Sequence, residues 1–315
     1  MKQRTLGKSG LLVSEIGLGC NNFGGRVDLE ASRRVVHKAL DVGVTLFDTA
    51  DIYGALNGGA RGASEEMLGE ILGARRQDIV LATKFGMPMD ERRKGASRRY
   101  IISAIEASLR RLRTDWIDLY QVHQWDPQTP IEETLSALDD LVRHGKVRYA
   151  GCSNFSAAQV VEAQWAARHL RLNAFISCQD EYSLLVRDLE RERLGVMERY
   201  GLGLLPFFPL ASGLLTGKYK RAAMPAEARL TRDPRRGERY LNEENWQKVE
   251  RLERFCAERG RSLLELAFSW LLLRPAVASV IAGATKPEQV EHNVAAGGWA
   301  LTAEELAEID RITLG

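Results

Sequence analysis

The stretch IEETLSALDDLVRHGKVRYAGCSN, residues 131–154, contains one complete helix-to-strand joint. Its first half predicts an amphipathic helix, because apolar residues recur at helical spacing at Ile131, Leu135, Leu138 and Val142. Gly145 then closes the helix, since glycine adopts a left-handed C-terminal cap without steric cost. The short apolar run Val147–Ser153 follows and predicts a buried strand that ends in polar residues.

The same joint recurs along the chain, with Gly43 and Gly201 in the place that Gly145 has here. We predict strands at residues 14–19, 45–50, 79–85, 117–124, 147–153, 174–179, 202–209 and 277–283. Amphipathic helices alternate with them, and this number of strand-helix units closes a (β/α)8 TIM barrel, a fold of the α/β class. The sequence therefore predicts a single barrel domain over residues 1–315.

Segments outside the repeat predict additions to the barrel. QRTLGKSGLLVSEIG near the start indicates an N-terminal β-hairpin that turns at residues 7–10 and plugs one barrel end. Residues 211–239 lack clear periodicity, and a loop of that length is usually functional or disordered. Extra C-terminal helices are predicted at 243–258, 262–273, 287–295 and 302–312. An open doubly wound sheet is the structural alternative, although GLGCNN is only a partial dinucleotide fingerprint with Asn22 in place of the third glycine.

Composition narrows the classes of partner. Lys and Arg number 44 against 42 Asp and Glu, and this net charge of +2 indicates neither nucleic-acid nor membrane binding. The four cysteines form no CxxC pair and the first apolar stretch is too short for a signal peptide, which favours the reducing cytoplasm. The dispersed histidines and the absence of an HExxH motif predict no metal site. Oligomeric state leaves no trace in the sequence.

Polar residues collect where the predicted strands end. Asp48 and Tyr53 follow the second strand, Lys84 ends the third and His123 ends the fourth. Singly, these residues have ordinary explanations as a cap, a rim aromatic, a surface charge and a core histidine. Together they make a proton donor, because Lys84 would lower the pKa of Tyr53 and Asp48 would hold Lys84 charged. Such a group suits protonation of a carbonyl oxygen, with His123 orienting that oxygen or relaying protons.

Five motifs resemble the aldo-keto reductase superfamily in order and spacing over nearly the whole chain: FDTADIYG, LATKFG, LYQVHQW, GCSNF and IAGATKPEQVEHN. The resemblance, which extends to bacterial aldo/keto reductases and potassium-channel β subunits, implies a (β/α)8 barrel that binds NADP(H) without a Rossmann fold. It also implies that Asp48, Tyr53, Lys84 and His123 are catalytic, with Tyr53 as general acid in reduction and general base in oxidation.

The resemblance further implies a set of cofactor-binding residues. Ser153, Asn154 and Gln179 match those that bind the nicotinamide carboxamide, and Phe207 matches the aromatic under the ring. The residues expected to contact the pyrophosphate and adenosine parts of the cofactor are Leu210, Gly213, Leu214, Gly217, Lys218, Gly283, Thr285, Lys286, Gln289 and Asn293. The chain departs from the family at Phe208, Ala282, Gln289 and His292, where serine, proline, arginine and glutamate are common. NADP(H) is expected over NAD(H). Arg229 and Arg232 are interpreted as additional phosphate contacts or as solvated loop charges, and the second interpretation is preferred for each.

The expected substrate is a small carbonyl compound, with Phe23, Trp125 and Tyr182 as apolar pocket walls or as ordinary packing residues. The leading interpretation is NADPH-dependent reduction of an aldehyde or ketone. Three alternatives stay open: a nucleotide-sensing or regulatory subunit, an aldolase-type barrel with Lys84 as Schiff-base nucleophile, and a scaffold protein.

Overall fold

A computed structural model describes residues 1–226 and 228–314 of the chain, and within them a two-stranded hairpin precedes an eight-stranded parallel sheet. The antiparallel hairpin pairs β1 (Gln3–Thr5) with β2 (Leu12–Ser14). The parallel strands are β3 (Ile16–Gly19), β4 (Leu46–Asp48), β5 (Val80–Phe85), β6 (Ile117–Val122), β7 (Val147–Ser153), β8 (Ser177–Gln179), β9 (Gly203–Leu204) and β10 (Val280–Gly283).

The sheet closes into a barrel. Consecutive strands pair in parallel from β3 to β9, and β10 pairs with β3. At the remaining seam, Leu204 N donates to Ala276 O (2.7 Å) and Ala278 N donates to Leu204 O (2.9 Å). Ile281 N donates to Pro206 O at 3.0 Å and continues this seam. The predicted (β/α)8 TIM barrel is confirmed, and the open doubly wound sheet is excluded.

Helices surround the barrel and follow it at the C-terminal end. They are α1 (Leu29–Asp41), α2 (Ala63–Leu72), α3 (Arg98–Leu112), α4 (Ile131–Arg143), α5 (Ala157–Leu170), α6 (Arg193–Tyr200), α7 (Arg229–Arg232), α8 (Pro234–Tyr240), α9 (Glu243–Ala257), α10 (Leu263–Leu272), α11 (Pro287–Ala295) and α12 (Ala303–Leu314). The glycine joints are confirmed, because Gly43, Gly145 and Gly201 have φ of 81°, 74° and 68°. In the described ranges, every helix is too short or too polar to cross a bilayer.

Two local predictions need correction. The segment 211–239, predicted to lack regular structure, contains α7 and most of α8. The sequence signal for α8 is Asp233 followed by Pro234. The Asp233 carboxylate caps the helix by accepting from Arg236 N at 3.2 Å, and proline suits the first helical position. The strand predicted at 202–209 is limited to β9. Pro206 and Pro209 lack the N–H that a central strand donates, and Phe208 has a φ of 50°.

The hairpin closes the amino-terminal end of the barrel, as predicted. Leu6 and Val13 are fully buried in a cluster with the inward residues of the barrel floor: Leu46, Ala82, Leu119, Leu205, Ala278 and Ile281. The turn begins at Gly7, whose φ is 61° and where a Cβ would lie 2.4 Å from Gly201 O. The opposite end, where the strands finish, is therefore the open mouth.

Candidate active site

Lys84 lies at the centre of the mouth with its charge fully buried. Its ammonium donates to Asp48 Oδ2 at 2.7 Å and to Thr49 O at 2.8 Å, and it lies 3.3 Å from Tyr53 Oη. Burial opposes the charged form, but attraction to Asp48 and Tyr53 outweighs it and raises the pKa of Lys84. The predicted pairing of Lys84 with Asp48 is confirmed, and the lysine is a cation at neutral pH.

The Asp48 carboxylate binds more than the lysine. Its Oδ1 accepts from Gln179 Nε2 at 2.8 Å and from Gln121 Nε2 at 3.3 Å. Alternation along the strands turns all four side chains into the barrel, since successive residues of a strand face opposite sides. A buried carboxylate with one cation and two amide donors satisfies the requirement that buried charge be paired and hydrogen-bonded.

Tyr53 lies in the loop after β4, half-buried, with its hydroxyl beside Lys84. Its ring meets the His123 ring edge-on at a centroid distance of 5.9 Å. Burial raises its pKa, Lys84 lowers it and Asp48 raises it, and the sum is above the ordinary value. Lys84 acts in the predicted direction, but the expected net lowering is wrong because burial is the larger effect. The phenol is protonated at neutral pH, which is the form that can donate a proton.

His123 follows β6, and its imidazole is uncharged at neutral pH. Burial first, and then the Lys84 charge, lower the pKa of its imidazole to about 3. Its main chain is fixed on both sides: His123 N donates to Phe85 O at 2.8 Å, and Asn154 Nδ2 donates to His123 O at 3.0 Å. A neutral imidazole retains one N–H, so His123 can donate a hydrogen bond without adding charge.

These residues face a cleft of about 850 Å³, a volume typical of a cofactor or ligand site. Asp48, Tyr53 and His123 line it, whereas Lys84 lies fully buried behind them. The predicted cofactor residues that also line it are Ser153, Asn154, Gln179, Phe207, Leu210, Gly213, Lys218, Gly283, Thr285, Gln289 and Asn293. Leu214, Gly217 and Lys286 do not line it. Leu214 is fully buried in the core, Gly217 follows the turn at Ala211–Thr216, and Lys286 is the N-cap residue of α11.

The three residues predicted to bind the nicotinamide carboxamide are linked by hydrogen bonds. Ser153 Oγ donates to Gln179 O at 2.8 Å, and Asn154 Nδ2 contacts Ser153 Oγ at 3.0 Å. Because the amide nitrogen of Gln179 is bound to Asp48, an incoming carboxamide would meet its oxygen. The residues fit a primary amide, which offers both donor and acceptor atoms.

The other half of the cleft is cationic. Lys218 and three arginines line it, namely Arg26, Arg229 and Arg236. Of the lining residues in the described ranges, Asp48 is the one carboxylate. Burial, Arg236 and Arg26 lower the pKa of Arg229 to about 10, and burial, Arg229 and Arg26 lower that of Lys218. Mutual repulsion of this kind is relieved by a bound anion, so the group fits a diphosphate.

Arg229 spans the cleft and donates from Nη2 to Asn22 Oδ1 at 2.5 Å. The expectation of a solvated loop charge is therefore wrong for Arg229. Arg26 and Arg236 were missed by sequence reasoning. The arginine-rich segment after Asp233 was a signal for Arg236, but periodicity gives no sign that α8 lies over the cleft.

The aromatic substrate walls also need correction. Phe23 and Tyr182 are fully buried, and the Tyr182 hydroxyl donates to Glu190 at 2.6 Å. Trp125 packs edge-on against Phe155 at a centroid distance of 5.2 Å and does not line the cleft. The apolar residues that line it beside the tyrosine are Leu56 and Met87.

The sequence model of the Aldo/keto reductase family matches residues 15–313. The chain belongs to this family. Relatives include a "Probable voltage-gated potassium channel subunit beta" of Oryza sativa subsp. japonica, 38% identical over 304 residues that cover 94% of this chain and 91% of the relative. The L-glyceraldehyde 3-phosphate reductase of Escherichia coli K12 is 35% identical over 320 residues, which cover 99% of this chain and 92% of that relative. An uncharacterised oxidoreductase of Bacillus subtilis is 36% identical over 324 residues, which cover 100% of this chain and 97% of that relative.

Membership and the two oxidoreductase names support carbonyl reduction as the general chemistry of this aldo/keto reductase. The match also covers the barrel from before β3 to within α12, so the strands that bring the site together belong to the shared fold. The identity of the site residues rests on the geometry above.

Proposed function

We propose that this aldo/keto reductase reduces an aldehyde or ketone to an alcohol with NADPH, and that Tyr53 gives the proton. The observation that carries the proposal is the contact of 3.3 Å between Tyr53 Oη and the buried ammonium of Lys84, in a cleft that His123 also lines. A protonated phenol beside a fixed cation is a proton donor whose conjugate base is stabilised where it forms.

The side chains divide the work. A bound nicotinamide cofactor would supply the hydride for the carbonyl carbon. Tyr53 donates its proton to the carbonyl oxygen, and the phenolate left behind is stabilised by Lys84. Asp48 keeps Lys84 protonated through the 2.7 Å ion pair. His123, neutral at working pH, donates an N–H to the same oxygen and polarises it.

Cofactor binding would use the two halves of the cleft. Ser153, Asn154 and Gln179 would hold the carboxamide, and Phe207 would stack under the ring. The cations around Lys218 and Arg229 would hold the phosphates. Gln289, which stands where arginine is common in the family, accepts from Thr285 N at 2.7 Å and supports the adenosine-side loop. The excess of cations favours NADP(H) over NAD(H).

The substrate is a small carbonyl compound that passes Leu56 and Met87 to reach Tyr53. One relative is named for an aldehyde, L-glyceraldehyde 3-phosphate, which supports placing aldehydes first among the compounds to test. The four unpaired cysteines fit a protein of the reducing cytoplasm.

The test follows NADPH oxidation by absorbance with a panel of aldehydes and ketones. Tyr53→Phe is expected to lose nearly all turnover while it still binds NADPH, because the hydroxyl acts only on the proton. Tyr149→Phe is the matched control, since it removes a hydroxyl near the floor of the barrel, far from the mouth. Equal turnover in Tyr53→Phe and the wild type would refute the role of Tyr53.

A regulatory subunit that binds NADP(H) with little turnover is the second candidate, favoured by the relatives named as potassium-channel β subunits. Tight NADPH binding without turnover of any compound in the panel would select it. A Schiff-base function is disfavoured, because the Lys84 ammonium has its protons directed at Asp48, Thr49 and Tyr53 and keeps no lone pair for attack.

A further inference from the structure

Asp51 is a buried carboxyl that the proposed reaction does not use. It is 1% exposed, and within residues 1–226 and 228–314 neither of its carboxyl oxygens has a hydrogen-bond partner. A carboxylate buried in this way is strongly destabilising unless it is neutralised. Its main chain is hydrogen-bonded to that of the active-site lysine: Asp51 N donates to Lys84 O at 3.1 Å, and Tyr53 follows two residues later.

The surroundings explain why Asp51 is unpaired. Glu65 of α2 is fully buried and accepts from Thr83 Oγ1 at 2.5 Å and from Arg111 Nε at 2.7 Å. The charge of Arg111, from α3, is therefore already balanced by Glu65. Lys84 is balanced by Asp48. Two cations thus face three carboxyl groups, and Asp51 is the one without a direct ion pair.

The remaining polar neighbours of Asp51 are phenols. Tyr100 of α3 and Tyr120 of β6 face it, and both have their pKa raised, first by burial and then by Asp51. The Tyr120 hydroxyl is itself buried without a partner in the described part of the chain. Neither phenol supplies positive charge, so this pocket favours an uncharged carboxyl.

We propose that Asp51 is a positioning residue: its carboxyl is neutral in the working enzyme, and its ionisation moves the loop that holds Tyr53 against Lys84. A carboxylate requires water or donors, and water can reach Asp51 only if the loop separates from α2 and α3. That separation breaks the hydrogen bond from Asp51 N to Lys84 O and moves the Tyr53 phenol away from the Lys84 ammonium.

The pH at which this happens follows from the same neighbours. Burial and then Glu65 raise the pKa of Asp51 to about 8, against the smaller opposing effects of Arg111, the nearby backbone N–H of Ile52 and Lys84. Tyr53 ionises only above its ordinary pKa of about 10. A loss of activity centred near pH 8 would therefore belong to Asp51 and not to the phenol.

The first test needs no turnover. An infrared difference spectrum of wild type minus Asp51→Asn, recorded near neutral pH, is expected to show the C=O stretch of a protonated carboxylic acid. Asp41→Asn, at the exposed end of α1, is the control and should show a carboxylate band instead. A carboxylate band for Asp51 at neutral pH would overturn the proposal, whatever the fate of the proposed function.

Stability gives an independent readout. Between the unfolded pKa of about 3.9 and the folded value of about 8, the folded state holds a proton that the unfolded state has lost. Wild type should therefore become less stable relative to Asp51→Asn as pH rises through this window, and the difference should level off above it. A difference that does not depend on pH would contradict the assignment.

The kinetic test rests on the proposed function. The pH profile of kcat/KM for carbonyl reduction should fall near pH 8 in wild type and lose this limb in Asp51→Asn. Glu65→Gln is the second variant: removing the neighbouring negative charge and freeing Arg111 lowers the pKa of Asp51, so the limb moves to lower pH. A limb that is unchanged in both variants would refute the positioning role, whereas a protein without turnover would fail only the proposed function.

Discussion

Gln179 Nε2 donates a 2.8 Å hydrogen bond to Asp48 Oδ1 across the interior of the barrel. The two residues end β8 and β4, which lie on opposite sides of the closed sheet. Since Asp48 Oδ2 also binds Lys84 at 2.7 Å, one carboxylate joins the residue expected to hold the cofactor to the residues expected to move the proton. Under the proposed function, cofactor position and proton donation therefore depend on the same buried group.

Asp48→Asn should lower both stability and turnover. The substitution leaves the Lys84 ammonium buried without a counter-ion, and breaking a buried pair in this way typically costs about 3–5 kcal/mol. Urea unfolding measures the stability, and NADPH oxidation measures the activity. Gln179→Leu is the contrasting variant: it leaves the ion pair in place, so it should weaken NADPH binding with a smaller loss of stability. Wild-type stability in Asp48→Asn would mean that Lys84 is not charged.

His123→Gln should make the protein more tolerant of acid. The imidazole has a pKa of about 3 when folded and about 6.5 when unfolded, so the unfolded state gains a proton first as pH falls. Wild type loses stability from about pH 6.5 down to about pH 3, by an amount on the order of 5 kcal/mol. Urea unfolding at several pH values checks this, with exposed His37→Gln as control. Identical pH dependence in wild type and His123→Gln would contradict a neutral buried imidazole.

Arg229→Gln should weaken NADPH binding by roughly 10- to 100-fold, because charge-assisted hydrogen bonds contribute about 1.5–3 kcal/mol each. Added salt should weaken binding to the wild type more than binding to the variant, since one cation fewer faces the phosphates. Fluorescence titration measures both effects. Arg235→Gln removes an equal charge from an exposed position on α8 and serves as the control. Equal weakening in the two variants would indicate a general field and no specific phosphate contact.

Sequence reasoning placed the residues of the mouth correctly because two simple rules combine there. Strand alternation points Asp48 and Lys84 inward, and a parallel barrel collects the ends of its strands at one mouth. Their contact needs only adjacent strands, β4 and β5, which the order of the chain already implies. Tyr53 and His123 follow such strands directly, so their neighbourhood was also predictable.

The features that the sequence did not predict are the positions of loop residues and a pKa that depends on two opposing effects. Phe23 and Tyr182 lie in loops after β3 and β8 and pack in the core, and hydrophobic periodicity does not predict the path of a loop. Arg26 reaches the cleft on a loop in the same way. The pKa of Tyr53 is the difference between burial and the Lys84 charge. The sequence names the charge, but the extent of burial appears only in three dimensions.

Leu6→Ala should destabilise the protein without changing its chemistry. Leu6 is fully buried in the barrel floor, and replacing a buried leucine by alanine typically costs about 2–5 kcal/mol through lost burial and the cavity left behind. Because the floor lies at the end of the barrel opposite the mouth, kcat and KM measured well below the melting temperature should match wild type. Urea unfolding and steady-state kinetics check the two parts.

Leu12→Ala, in the same hairpin, is the matched control because Leu12 is 51% exposed. The same deletion there should change stability by a few tenths of a kcal/mol, as surface substitutions usually do. A loss of turnover in Leu6→Ala under folded conditions would mean that the floor transmits its packing to Lys84 through β5. A stability loss equal to that of Leu12→Ala would mean that the hairpin does not plug the barrel.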